Sequence, residues 1–401
     1  MITKKNRLFF FLVKVVKAVL RRLRKGINAA DRFFIAVMPK NTSNLNWMFR
    51  LERVETYMKR ILSQTGDLPA AAKPFSEGEL RSRTDEFNKA AEDYFQLERN
   101  KLFSTNKPYT DRLLFGQRLF DLGVIVHWLR LSPGETVLDF GAGTCWISHF
   151  FNRFGCRTLA LDVSATALEL GRRQFEADPQ TSWDLNPGFI SYDGHSLPLE
   201  DQSIDKIVVY DAFHHIPNQK EILKELFRVM KKDGIMAMCE PGRFHAASGA
   251  SLRDMSETGV LENSIILEDL NVLAKACGFE EITVVPANLQ NTIEVGAESL
   301  NAFLAGDRFA EYWSGLRNGL INMNCLLFYK EKYVPNTRRP GRLDAVLTSL
   351  ESPAELSAAV GTKACLRIQV KNNGDTRWLK HTPERAGQTQ LGAHLYRKDT
   401  A

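Results

Sequence analysis

The chain has 401 residues, of which 44% are hydrophobic, 25% charged and 10% aromatic, the make-up of a folded globular protein of two or three units. That balance excludes a disordered tail protein, a collagen-like array and a multi-span membrane protein. The formal charge of +6 is concentrated in residues 1–25, which carry nine Lys and Arg and no acid; the rest balances at −3, so the body is no binder of nucleic acid or other polyanions.

Six cysteines at positions 145, 156, 239, 277, 325 and 365 form no CxxC pair. Their scatter predicts reduced thiols in a cytoplasmic protein, with neither a disulfide scaffold nor a zinc site.

Residues 1–30 are expected to form a basic amphipathic helix. The stretch RLFFFLVKVVKAVLRRLRK (7–25) is broken by Lys14 and Lys17, far short of the roughly 20 apolar residues that cross a bilayer. On a helix, Lys14, Lys17, Arg21, Arg24 and Lys25 share one arc, opposite Phe9, Leu12, Val13, Val16, Val19, Leu20 and Leu23. This arrangement predicts peripheral contact with an anionic membrane surface, at the inner leaflet, through residues 7–25; a helix docked on the body is the competing reading.

Residues 31–108 read as a helical extension. Trp47, Leu51, Val54, Met58 and Ile61 recur at spacings of four and three, a short seam that either pairs two chains as a homodimer or docks on the body. TGDLPAAAKPFSEG (65–78) has linker composition, and a polar helical pattern follows over 79–104.

From about residue 109 to 333, strand and helix patterns alternate as in an open α/β sheet. A helix near 110–130 ends at SPG. Strands are expected at 136–140, 157–162, 188–193, 205–211, 234–240, 280–287 and 324–333, with helices at 146–154, 164–177, 218–231 and 266–277. The last two strands, joined by a long insertion, suggest a pair added at one edge.

Four strand ends carry chemistry. Asp139 closes the first strand and leads into Gly141-Ala142-Gly143-Thr144-Cys145. There the glycines allow close backbone approach to a ligand, and the following helix aims its N–H groups at it. Cys145 follows Gly143 at the same two-residue spacing, where a third glycine would continue the alternation. Asp162 ends the second strand, 19 residues after Gly143, where an acidic side chain accepts from ribose hydroxyls in doubly wound folds. Asp193-Gly194 follows the third strand, and D-x-F-H-H-I-P (211–217) the fourth.

In order and spacing these motifs resemble the class I S-adenosylmethionine-dependent methyltransferases of the small-molecule type, over about residues 109–333. The resemblance implies a Rossmann-like seven-stranded α/β domain with S-adenosyl-L-methionine as cofactor. Asp139 and the loop 141–145 would hold the methionine portion, Asp162 the ribose, and Asp193 and Gly194, with His195 beside them, would flank the adenine. Asp211 and Phe213 would sit where the methyl group meets substrate. A nicotinamide dehydrogenase would show the full G-x-G-x-x-G instead.

Removing a proton from a hydroxyl acceptor calls for a group titrating near neutrality. His214, His215 and His245 follow strands four and five, at the edge where such sites form. His215 and His245, with Asp211, are the expected catalytic residues. Glu240 has a loop hydrogen bond as its competing role, and Arg243 is either an anion binder or a surface charge. No metal-ligand spacing accompanies these residues, so a metal-independent reaction is expected.

Residues 334–344 read as a linker. Residues 345–401 predict a small all-β module, possessing alternation over 363–372 and 389–398. With Asn373, Gly374, Trp378 and the LGAHL run (391–395), it resembles the β-sandwich appendages of bacterial surface-polysaccharide enzymes, short of a full sandwich. Taken together, the expected function is O-methylation of a sugar hydroxyl on a glycan or glycolipid. A lipid or quinone methyltransferase and a non-catalytic scaffold of the same fold are the rivals.

Overall fold

The computed structural model describes residues 75–110, 112–289, 292–332, 334–337, 340–350, 367–379 and 388–390. The basic leader of residues 7–25, the seam over 47–61, the LGAHL run and most of the strand expected at 389–398 lie outside the described residues.

Seven strands form one sheet: β1 (Thr136–Phe140), β2 (Arg157–Asp162), β3 (Gly188–Ser191), β4 (Ile204–Tyr210), β5 (Met230–Pro241), β6 (Glu281–Val285) and β7 (Met323–Tyr329). Their order is β3-β2-β1-β4-β5-β7-β6. Strands β1 to β5 pair in parallel, and the β6–β7 pair is antiparallel and joins at β5. The central strands are nearly continuous in apolar residues because helices cover both of their faces; Val137, Leu138, Phe140, Ile207, Val208 and Val209 have no solvent exposure.

The helices of the described residues are α1 (Glu77–Ser82), α2 (Thr84–Gln96), α3 (Glu98–Thr105), α4 (Arg112–Leu129), α5 (Trp146–Arg153), α6 (Ala165–Ala177), α7 (Gln219–Val229), α8 (Gly249–Thr258), α9 (Leu267–Ala276), α10 (Leu300–Leu304) and α11 (Phe309–Asn322). On one face of the sheet, Leu223 and Leu226 of α7 and Leu270 of α9 pack against Leu138, Ile207 and Phe328. On the other, Ile125 and Leu129 of α4 and Phe151 of α5 pack against Val137 and Val208. The helical pattern over 79–104 is realised as three pieces, broken where Arg83 and then Leu97 leave helical geometry. Helix α1 starts with a capping box between Ser76 and Glu79. Helix α8 was not foreseen; the hydroxyl of Ser248 accepts from Ser251 N–H at its start, and left-handed Gly259 ends it.

The first strand pairs with β2 on one side and β4 on the other, so successive strands advance in opposite directions from this point. That reversal opens a crevice beyond the carboxyl ends of β1 and β4, where parallel α/β sheets bind ligands. Because β6 and β7 run antiparallel, the end of β6 and the start of β7 meet at this same edge: Val285 lies opposite Cys325, and Pro241 opposite Met323.

The C-terminal alternation is realised over Ile368–Asn372 (β9), which pairs antiparallel with β8 (Ala345–Ser349). Every residue of both strands is exposed; among the described residues the module expected over 345–401 is a two-stranded ribbon, and most of its remaining residues lie outside the described ones. Arg377, just beyond it, pairs with Asp233 of β5. Trp378 is half-buried. Five of the six cysteines are described, and each is a buried free thiol.

Candidate active site

The loop after β1 is tied down at every step. Asp139, buried in the sheet, accepts from the Ser148 N–H at 3.0 Å and its hydroxyl at 2.7 Å. Its carboxylate thereby anchors the first turn of α5 and does not face the crevice; burial pushes the group up to about 6, against those two donors. The N–H groups of Gly141 and Ala142 both donate to Leu161 O, at 2.8 and 3.1 Å. Gly141 has φ +70°, and a Cβ there would stand 2.5 Å from the Ala212 methyl. Only glycine lets the loops after β1 and β4 approach so closely.

Cys145 adopts the left-handed conformation that a third glycine would take freely (φ 62°, ψ 23°), at a cost on the order of 1–2 kcal/mol for a residue with a Cβ. The loop thus follows the glycine path despite the cysteine. The buried sulfur is accommodated because α6 carries Gly171 opposite it, where a Cβ would come within 2.4 Å of Sγ.

Asp162, at the end of β2, accepts from Gly143 N–H through Oδ2 and from Ser164 N–H through Oδ1, each at 2.8 Å. Burial raises its pKa, with the two backbone donors opposing. Each oxygen retains acceptor capacity for a hydroxyl. Asp193 curls its carboxylate onto the N–H groups of His195 (2.8 Å) and Ser196 (2.9 Å), which hold it below the ordinary range. Gly194 has φ +80° and a carbonyl that accepts from Asn218 Nδ2 at 3.0 Å. His195 is exposed and its Nε2 lies 3.1 Å from Asp85.

One contribution was missed from the sequence. Helix α2 lies over these strand ends: Asn88 Nδ2 donates to Asp193 O at 3.2 Å. The Glu92 carboxylate accepts from the Ser164 hydroxyl at 2.6 Å and from the Thr166 hydroxyl. Phe95 reaches within 3.6 Å of where a Gly143 Cβ would be. Asn88, Glu92 and Phe95 stand at i, i+4 and i+7, so one face of the helix supplies all three. That spacing was the available signal.

The second half of the site follows β4 and β5. Asp211 has φ +53° and is open to solvent at the strand ends. Desolvation works to raise its pKa, but His214, Lys107, His215 and His245 outweigh it and hold the carboxyl down to about 2. Phe213, expected beside the substrate, has no solvent exposure and packs in the core with Leu223 and Leu226. The strand-four loop turns this side chain inward, so that expectation is corrected.

Glu240 plays the competing role named for it. Fully buried at the end of β5, it accepts from the N–H groups of Ala212 (2.9 Å), Phe213 (2.7 Å) and His214 (3.2 Å). It also meets His214 Nδ1 at 2.7 Å. Burial pushes its carboxyl up to about 7, and its work is to shape the turn that presents the histidines. Arg243 forms a two-pronged pair with Glu268 at 2.7 and 2.8 Å, so its charge is spent there.

The fold brings the three histidines together around a residue that sequence reasoning passed over. Ring centroids of His214 and His215 are 3.8 Å apart, and those of His214 and His245 are 4.7 Å apart. Glu262, 6% exposed, sits among them. Its Oε2 lies 2.5 Å from His245 Nε2 and 3.7 Å from His214 Nε2, and its Oε1 lies 3.7 Å from His215 Nδ1. His215 Nδ1 donates to Leu261 O at 2.5 Å. Burial disfavours the charge on both partners of the closest pair. The histidines nevertheless hold Glu262 below its ordinary range, while Glu262 lifts His245 above its own. The absence of metal-ligand spacing in the sequence therefore does not carry over to the fold. His214, His215 and Glu262 offer three donor atoms within 4.8 Å of one another, because Asn263 N–H bonds to His214 O at 3.1 Å and folds the 260–266 loop back.

Residues 138–238 match the family model described as a methyltransferase domain. A demethylmenaquinone methyltransferase of Clavibacter sepedonicus is 32% identical over 107 residues, covering 27% of this chain and 41% of the relative. A 37.1 kDa protein of a Streptomyces fradiae transposon is 30% identical over 175 residues, covering 41% and 48%. The chain spans about half the length of the curated relatives it matches. Among solved structures, Haemonchus contortus phosphoethanolamine N-methyltransferase 2 in complex with S-adenosyl-L-methionine aligns with a TM-score of 0.41 and 18% identity, over 64% of this chain and 60% of that one.

Proposed function

We propose that this chain, which carries a methyltransferase domain of the class I fold, uses S-adenosyl-L-methionine to methylate a hydroxyl of a sugar, as part of a glycan or glycolipid. The observation that carries the acceptor chemistry is the 2.5 Å contact between Glu262 and His245 beside Asp211. An acceptor that must lose a proton needs such a pair, and an amine with a free lone pair does not.

The residues present fit the cofactor. Two loop glycines take positive φ at the crevice, and Asp162 keeps hydroxyl-accepting capacity at the end of β2. The loop 141–145 would take the methionine portion, Asp162 the ribose, and Asp193-Gly194 under Asn88 the adenine. Bound there, the cofactor supplies a methyl group on a sulfonium, open to in-line attack. The protein's part is positioning and proton removal. Because an ionised Glu262 only accepts hydrogen bonds, the proton of His245 sits on Nε2, leaving Nδ1 as the basic nitrogen. Asp211, kept ionised, favours the imidazolium that forms. His215 is the alternative base.

A quinol acceptor is the second reading, favoured by relatives named demethylmenaquinone methyltransferase. A quinol also gives up a hydroxyl proton. The family-model match ends at residue 238, before Glu240, His245 and Glu262, and these relatives match over 107 and 130 residues, 41% and 52% of their own length. Labelled methyl transfer to nucleotide-linked and lipid-linked sugars, against demethylmenaquinol, decides between them. Activity on the quinol alone would overturn the sugar reading. The basic leader would hold the enzyme peripherally at an anionic membrane, where lipid-linked acceptors reside.

A further inference from the structure

We propose that His214, His215 and Glu262 form a binding site for one divalent transition-metal cation, of which zinc suits the donor set best. Two imidazoles and a carboxylate are the ligands that borderline cations such as zinc and cobalt take, and three protein ligands with a position left open mark catalytic rather than structural sites. The three donor atoms lie within 4.8 Å of one another. Ligand atoms about 2.1 Å from a tetrahedral ion sit roughly 3.4 Å apart, so the donors would draw closer on binding.

The surroundings are those of a metal centre and not of a chance cluster. His214 is buried, and its Nδ1 is fixed by Glu240 at 2.7 Å while Nε2 looks toward Glu262 at 3.7 Å. A carboxylate behind the far nitrogen is what orients an imidazole toward an ion. Glu262 is held through Oε2 by His245, which leaves Oε1 on the side of His215 Nδ1; ligation through that nitrogen would exchange its hydrogen bond to Leu261 O for the ion. The carboxylates of Glu240 and Glu262 thus face the two ring nitrogens of His214 from opposite sides. The site goes beyond the methyl-transfer reading and does not depend on it, although an acceptor hydroxyl bound in the open position would be acidified for His245.

The test uses the untagged full-length chain, stripped with a chelator and titrated with Zn²⁺ against a chromophoric competitor, with Co²⁺ absorption as a second probe. The expected result is one equivalent of Zn²⁺ bound at about micromolar affinity or tighter, and a cobalt spectrum of low coordination number. Glu262→Gln and His215→Ala should each weaken binding at least about tenfold, whereas His149→Ala, on α5, should leave it unchanged. His215 is partly exposed, so its alanine variant keeps the test valid if Glu262→Gln does not fold. Absence of stoichiometric binding by the wild-type chain, or unchanged affinity in His215→Ala, would overturn the proposal and leave a hydrogen-bonded histidine cluster without an ion.

Discussion

Glu262 Oε2 lies 2.5 Å from His245 Nε2, joining the loop after α8 to the turn after β5. The contact makes a buried acid and a nearby imidazole into one unit, and it turns the carboxyl edge of the sheet into a place where a proton can be received.

His245→Ala should therefore lower kcat by about 10²–10⁴ with little change in cofactor affinity, the usual contribution of a positioned base. Glu262→Gln keeps the shape but removes the acceptor-only partner, and a smaller fall in kcat is expected. Steady-state kinetics with a competent acceptor would show both. Unaltered turnover in His245→Ala would pass the role of base to His215.

Asp162 accepts from the N–H groups of Gly143 and Ser164, and the proposed function gives it the ribose as well. Asp162→Ala should weaken cofactor binding about tenfold or more, because a charge-assisted hydrogen bond contributes roughly 1.5–3 kcal/mol. Calorimetry showing a loss under threefold would contradict the ribose assignment.

Cys145 and Gly171 should behave as a coupled pair. Gly171→Ala drives a methyl to within 2.4 Å of the Cys145 sulfur and 2.9 Å of the Thr144 carbonyl carbon, and should destabilise by about 1–3 kcal/mol. Cys145→Gly removes the sulfur, so it should recover part of that loss in the double variant. Denaturant midpoints of the four proteins measure the coupling. Strict additivity would contradict it.

Asp139 predicts a pH dependence of stability. Its folded pKa is raised to about 6 from 3.8 by burial, so between those values the native state holds a proton that the unfolded chain has lost. Stability from this group should rise as pH falls through 6 and level off below 3.8, by at most about 3 kcal/mol. Asp121, raised to about 6 chiefly by burial, acts in the same direction. In Asp139→Asn that contribution is gone, and the gap in melting temperature to the wild type should change between pH 8 and pH 5. A constant gap would show that Asp139 is ionised throughout.

These predictions rest on features of unequal visibility in the sequence. The strands from β1 to β5 could be read because each is a short apolar run between breakers, and the GAGTC loop because its glycines have no other reason to be there. Cys145 was visible as a departure; that it keeps the left-handed turn became clear only with Gly171 opposite it. Asp162 ends β2 whereas Asp139 stands one residue before the end of β1, and Asp139 turns inward to Ser148 while Asp162 sits under the loop, a difference set by strand pleat and helix packing. Phe213 looked like a substrate contact because it follows Asp211, but the turn capped by Glu240 points it into the core. Glu262 was not legible at all. It lies in a plain stretch, VLENS (260–264), and reaches the histidines only because that loop folds back.

The measurement that bears most directly on the central claim is calorimetric titration of the purified chain with S-adenosylmethionine and with S-adenosylhomocysteine. Both should bind at micromolar concentrations, with one site per chain. Absence of binding to a folded, monodisperse protein would contradict it and favour a methyltransferase fold kept for other interactions.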